Sequence, residues 1–184
     1  MIRNAIPSDA KTIAPLLIAA MEELASKYVN NKDPYQAIPL FEHFVFQAGN
    51  QYSFENILVY CENNVPAGVI NGYDGYKFHE LREPFLNYLA SQYSLEIAFE
   101  DETQSGEFYI DALSVSPSAR GKGVGRKLLN AMIELAKINH YQTIGLLVNL
   151  DNDRAYKLYE NMGFKVVGTK SLLGDPYYHM QKDT

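Results

Sequence analysis

Tyr-Ile-Asp-Ala-Leu-Ser-Val-Ser-Pro-Ser-Ala-Arg-Gly-Lys-Gly-Val-Gly-Arg-Lys-Leu-Leu, residues 109–129, is the stretch on which the reading of this chain turns. Its first part alternates like a strand that begins at Glu107. Phe108, Ile110, Ala112 and Ser114 are expected on one side and Tyr109, Leu113 and Val115 on the other, with Asp111 the polar exception. Farther on, Leu128, Leu129, Met132, Ile133, Leu135 and Ala136 recur at helical spacing. Between strand and helix, Gly121, Gly123 and Gly125 fall on every second residue. Such glycines let backbone amides converge and let an anion come close. The helix that starts there adds its unpaired first-turn amides and the positive end of its dipole. Together they form a phosphate cradle. Arg120, Lys122, Arg126 and Lys127 surround it, and residues 117–140 hold five Lys or Arg against one Glu. Three such glycines at a helix start each cost about 1 kcal/mol relative to Ala, which argues against a merely tight connection.

Other phosphate motifs fit worse. No Gly-Lys-Ser/Thr string closes a P-loop. The dinucleotide fingerprint Gly-x-Gly-x-x-Gly is replaced by Gly-x-Gly-x-Gly, and more than a hundred residues precede what would be its first strand.

Outward from this segment the chain reads as a single domain over residues 1–184. A short strand is expected at 2–5 and a helix within 9–28 whose regular part starts near Thr12, leaving Pro15 in its first turn. A second helical stretch spans 35–48. Two strand-like runs, 56–62 and 65–72, are joined by Asn63-Asn64, a hairpin signal. Residues 73–106 contain a helix at about 83–93. Residues 143–149 form a short apolar strand of the kind buried on both faces. Residues 152–162 are helical up to Gly163, with Leu158 and Met162 as the core face, and strands at 164–169 and 177–181 close the chain. The order predicts an α/β (α+β) fold, a mixed sheet with helices on both faces.

Composition bounds the function. With 47% apolar and 21% charged residues the chain is that of a soluble globular protein. Its net charge of −6 disfavours a general nucleic-acid binder. No apolar run approaches roughly 18 residues and the N-terminus lacks a signal-peptide core, so a cytoplasmic protein without a membrane partner is expected. Cys61, the single cysteine, reads as a small buried hydrophobe. The four histidines show no metal-ligand spacing, so no metal is expected.

Residues 113–117, Leu-Ser-Val-Ser-Pro, followed by residues 120–125, Arg-Gly-Lys-Gly-Val-Gly, resemble the acetyl-coenzyme A motif of the GNAT superfamily of N-acetyltransferases. Residues 152–164, Asn-Asp-Arg-Ala-Tyr-Lys-Leu-Tyr-Glu-Asn-Met-Gly-Phe, resemble that family's second motif, in the family's order and separation. The resemblance is strong over 107–170, compatible with 1–72, and absent over about 73–106, which reads as a helical insertion. It implies a mostly antiparallel sheet splayed at the coenzyme site, and acetyl transfer from acetyl-coenzyme A to a primary amine of a small molecule or peptide. The implied coenzyme-binding residues are Leu113, Ser114, Val115, Arg120, Gly121, Lys122, Gly123, Val124, Gly125, Arg126, Asn152, Ala155, Tyr156 and Tyr159. Leu113 and Val115 would meet the pantetheine arm through their backbone, and Tyr159 would protonate the leaving thiolate.

Direct transfer also needs a base, because an alkylammonium with a pKa near 10 must lose its proton first. Asp111 and Glu107 are the candidates. Asp111 interrupts an apolar strand, where a carboxylate is either used or held by a hydrogen bond. Glu107 is the weaker, since the start of the strand should be solvated, and loss of the proton through water stays open. Residues 80–111 hold eight Asp or Glu and one Arg, a surface that would attract a cationic amine or simply be solvated. Two alternatives remain at this stage: a non-catalytic acyl-coenzyme A sensor, against which Tyr159 argues, and a dinucleotide-dependent protein. The pattern also allows a homodimer and leaves the acceptor unnamed.

Overall fold

A computed structural model of the chain describes residues 1–98 and 100–184. β1 (Ile2–Asn4) precedes three helices, α1 (Ala10–Ala20), α2 (Glu22–Tyr28) and α3 (Ile38–Phe46). The hairpin of β2 (Ile57–Glu62) and β3 (Val65–Asp74) leads to α4 (Phe78–Tyr93). Then follow β4 (Glu107–Val115), α5 (Val124–Ile138), β5 (Thr143–Asn149), α6 (Asp153–Asn161), β6 (Lys165–Leu172) and β7 (Asp175–Asp183). The strands form one seven-stranded sheet in the order β1-β2-β3-β4-β5-β7-β6. Every pairing is antiparallel except that of β4 with β5. This is the expected mixed, mostly antiparallel α/β class.

Helices cover both faces. Ile13, Leu17, Phe41, Phe44, Phe85 and Leu89 of α1, α3 and α4 pack on Val59, Val69 and Ala112. On the other face Leu128, Leu129 and Met132 of α5 and Tyr159 of α6 pack on Ile70, Ile110, Ile144 and Leu146. The Asn63-Asn64 turn has φ of 50° and 66°, the left-handed pair that a two-residue hairpin needs and that Asn tolerates. Among the described residues no helix is long and apolar enough to cross a membrane.

Four expectations change. The helix expected within 9–28 is broken at Met21 (φ −145°, ψ 47°), and Pro15 lies inside α1 rather than in its first turn. Its missing N–H orphans only the carbonyl of exposed Lys11, which water can serve. Likewise α4 starts at Phe78, five residues before the expected start, and carries Pro84 internally, opposite exposed Glu80. β6 and β7 run longer than their apolar pattern because each pairs along its length with the other.

The fourth change concerns β4. Its register with β3 slips between Asn71 and Gly72: Asn71 pairs with Ala112 and Gly72 with Ile110, so Asp111 is an extra, unpaired residue. A bulge of this kind resets the alternation. Phe108, Ile110, Leu113 and Val115 therefore share the α5 face, and Ala112 turns to the opposite layer. Gly72 makes the bulge sterically feasible, since a Cβ there would stand 2.9 Å from both Phe108 Cε1 and the Tyr109 carbonyl.

Candidate functional site

The parallel ladder between β4 and β5 ends at Ile110 and Leu146, one residue before the bulge, although β4 continues to Val115. Beyond that point the two strands part, and the β5-facing edge of residues 113–115 has no strand partner. A cleft of about 540 Å³ opens there, lined by Leu113, Ser114 and Val115 of β4, by the turn before α5, and by α6.

At the far end of the cleft lies the glycine turn. Gly121 and Gly123 have φ of +77° and +73°, a region that disfavours any residue with a Cβ. Gly123 is the N-cap of α5 and has no side chain to cap with. The amides of Val124, Gly125 and Arg126 consequently have no acceptor among the described residues, the orphan donors of a helix start. Gly125 differs: a Cβ there would project between Val115 Cγ2 (3.9 Å) and Leu158 Cδ2 (3.8 Å), both lining residues, so it would fill cleft space without a clash. Arg120, Arg126, Arg154 and Lys157 are the charged lining residues, and no Asp or Glu is among the described ones. Arg120 Nε also donates to the Val115 carbonyl at 3.0 Å, tying the turn to the strand end. An amide-rich, purely cationic cleft suits a polyphosphate anion.

α6 forms the opposite wall. Its N-cap, Asn152, accepts from the Ala155 amide at 3.1 Å through Oδ1, which leaves its side-chain amide without a partner among the described residues. Small Ala155 keeps that wall open. Tyr159 is the most buried residue of α6 at 9% exposure, whereas Leu158 and Met162, expected as the core face, are only half-buried. The face is turned because Tyr159 stacks edge-on against Phe164 at 5.9 Å. Its hydroxyl makes no hydrogen bond to the described protein, and burial pushes its pKa up to about 12.

A second cleft, about 560 Å³, meets the first. Ala19, Leu113, Asn152, Ala155 and Tyr159 line both. Six carboxylates line the second cleft, from Glu22, Glu23, Glu102, Asp111, Asp151 and Asp175, with no Lys, Arg or His among its described lining. Asp111 is the bulge residue, and the Tyr73 hydroxyl donates to its Oδ2 at 2.8 Å. Burial, then the charge of Glu102, raises its pKa to about 7 against the opposing pull of Arg82 and Tyr73. Glu102 itself is buried, ion-paired with Arg82 and accepting from the Tyr109 hydroxyl at 2.9 Å. Arg82 in turn donates to Gln51 at 3.0 Å and lies over the Phe78 ring.

Most of the residues read from the sequence converge here, but three do not. Lys122 points away from the cleft to Glu62, 3.0 Å from its Oε1. Tyr156 stacks on Tyr178 and lines neither cleft. Glu107, expected to be solvated, is 1% exposed. Its Oε2 is bonded to His179 at 2.9 Å and Gln181 at 2.7 Å, and its Oε1 accepts from Thr103 at 2.7 Å. Burial alone would raise its pKa, but these bonds outweigh that and hold it below the ordinary range. It lines neither of the two clefts. Sequence reasoning missed Arg154 and Lys157, which the α6 spacing could have offered, and the acidic wall. Of the carboxylates in segment 80–111, Glu102 and Asp111 are those that line the second cleft among the described residues.

Comparison with known proteins finds relatives of this fold. The model of the acetyltransferase (GNAT) family matches residues 17–164. An acetyltransferase crystal structure is 34% identical, covers 100% of this chain and 98% of its own, and superposes with a TM-score of 0.82. An N-acetyltransferase from Staphylococcus aureus Mu50 is 25% identical with a TM-score of 0.83, covering 99% of this chain and 100% of its own. Mycothiol acetyltransferase of Propionibacterium freudenreichii subsp. shermanii is 42% identical over 74 residues, 40% of this chain and 23% of that protein. In three such curated relatives the aligned segment spans 21%, 23% and 50% of their own lengths.

Proposed function

The chain belongs to the acetyltransferase (GNAT) family, and on that premise we propose that it transfers an acetyl group directly from acetyl-coenzyme A to a primary amine. The observation that carries the reading is the meeting of a cationic, amide-lined cleft with an acidic one at Leu113 and Tyr159.

Acetyl-coenzyme A, when bound, supplies an acyl group activated as a thioester. In this reading the amides of residues 121–126, with Arg120 and Arg126 beside them, hold the diphosphate. The unpartnered edge of residues 113–115 takes the pantetheine arm as an added strand, and the Val115 amide stabilises the negative charge that develops on the carbonyl oxygen. The Asn152 side-chain amide is a further donor to the coenzyme. Asp111 accepts the proton of the incoming ammonium. Its pKa of about 7 keeps a working fraction ionised at neutral pH. As the C–N bond forms and the C–S bond breaks, the Tyr159 hydroxyl donates to the departing sulfur. Its raised pKa keeps the proton on oxygen until then. The second proton of the acylated nitrogen passes to water through the open clefts, leaving a neutral amide, and exchange with solvent returns Asp111 and Tyr159 to their starting states.

The test is a thiol-release assay alongside thermal melts. Acetyl-coenzyme A is expected to raise Tm while NAD does not, and free thiol should appear only when an amine is added. Stabilisation by NAD alone would refute the reading. Binding of acetyl-coenzyme A without amine-dependent thiol release would leave only a sensor.

A further inference from the structure

The acidic cleft is built from four separate parts of the chain, and each has its own reason to face inward. The break at Met21 turns residues 19–24 onto the cleft as a continuous strip, which an unbroken helix would not do. That strip brings Glu22 and Glu23. Asp151 lies two residues past the end of β5, and Asp175 opens β7. Glu22, Glu23 and Asp151 have no cationic partner among the described residues, whereas Asp175 is bridged to Lys27 at 2.9 Å and Glu102 to Arg82. Three exposed, uncompensated carboxylates thus stand on a cleft that also receives Tyr159, nine-tenths buried and with a hydroxyl that has no partner among the described residues.

A single ammonium at the reaction point, served by Asp111, leaves the charge of Glu22, Glu23 and Asp151 unanswered. A second cation on the same molecule answers it. The lining between the charges includes Leu24, Leu147, Leu172 and the ring of Tyr177, which suit a polymethylene chain and a cation over an aromatic face. A peptide acceptor with a single ammonium leaves the charge of Glu22, Glu23 and Asp151 unanswered in the same way.

We infer that the acceptor is a small linear di- or polyamine, its distal ammonium held by Glu23, Glu22 and Asp151 while its terminal amine reaches Asp111. The inference rests on the acetyl-transfer reading above and narrows its substrate.

The experiment compares butylamine, putrescine, spermidine and a lysine-containing tripeptide amide as acceptors with saturating acetyl-coenzyme A. Putrescine and spermidine should exceed butylamine in kcat/KM by about tenfold or more, mainly through KM, an advantage that shrinks with added salt because the carboxylates are exposed. The Glu23→Gln/Asp151→Asn double variant, altered only at exposed positions and checked by its melt, should lower kcat/KM for spermidine about tenfold and for butylamine less than threefold. Equal or better use of butylamine or the tripeptide overturns the inference, as does a double variant that weakens all acceptors alike or an absence of turnover with either polyamine. If acetyl-coenzyme A itself fails to bind, the transfer reading falls instead, so the two failures are told apart.

Discussion

Gly125→Ala separates binding from folding because the structure assigns the two effects opposite signs. Gly125 has ordinary helical φ within the first turn of α5. A Cβ there meets nothing closer than 3.8 Å, so the protein has no steric objection to it. Replacing Gly by Ala in a helix gains up to about 1 kcal/mol, which for a domain of this size raises Tm by roughly 2–4 °C. The same methyl enters the cleft between Val115 and Leu158, against the orphan amides of residues 124–126. Losing one charge-assisted hydrogen bond to the diphosphate costs about 1.5–3 kcal/mol, a weakening of Kd by about 10- to 150-fold. Calorimetric titration with coenzyme A and a thermal scan of the free protein measure the two quantities separately. A more stable variant that binds coenzyme A within twofold of the wild type would refute the idea that these amides grip the ligand. A less stable one would refute the account of Gly125.

Three further outcomes are expected. Tyr159→Phe removes a hydroxyl with no partner among the described residues, so Tm should hold within a degree or two, a change of about 0.5 kcal/mol or less, while kcat falls about 100-fold with the Kd of coenzyme A unchanged. Stopped-flow binding and thiol release check this, and an unaltered kcat removes Tyr159 from the chemistry. Asp111, raised to about 7 from 3.8, binds a proton in the fold that the unfolded chain has already lost. Its contribution to stability is therefore complete below about pH 4 and lost as pH rises to about 7. Asp111→Asn should be progressively more stable than the wild type across that window, and should lose the limb of kcat/KM that rises toward pH 7; a wild-type limb that survives in the variant assigns the base elsewhere. Gly145→Ala would place a Cβ 2.1 Å from Glu107 Oε2 in a packed core, costing on the order of 1–3 kcal/mol in chemical denaturation; an unchanged midpoint would contradict the burial of Glu107.

Legibility of the sequence followed the range of the forces involved. The two motifs are local in sequence, so the resemblance they carry named fourteen coenzyme residues of which twelve line one cleft. Lys122 and Tyr156 failed because neighbours far along the chain, Glu62 and Tyr178, claim them. Glu107 looked like a solvated strand end, yet His179 and Gln181 of β7 reach it across β5, over the bare backbone of Gly145. The acidic wall was invisible for the same reason, since only the sheet order brings residues 22–23, 151 and 175 together. Strict alternation hid the bulge, although the gap from Ile110 to Leu113 among the apolar positions was its trace.

The slipped register gives Asp111 two separable duties. Its carboxylate serves one layer of the molecule; its mere presence as a counted residue sets the parity of everything after it. A substitution can silence the acid and leave Leu113 and Val115 where they are. A deletion would close the ladder and invert the rest of the strand, exchanging the wall of one cleft for the core of the other. This position is therefore open to change in kind but closed to change in number, and the gap between β4 and β5 is as much a matter of chain arithmetic as of chemistry.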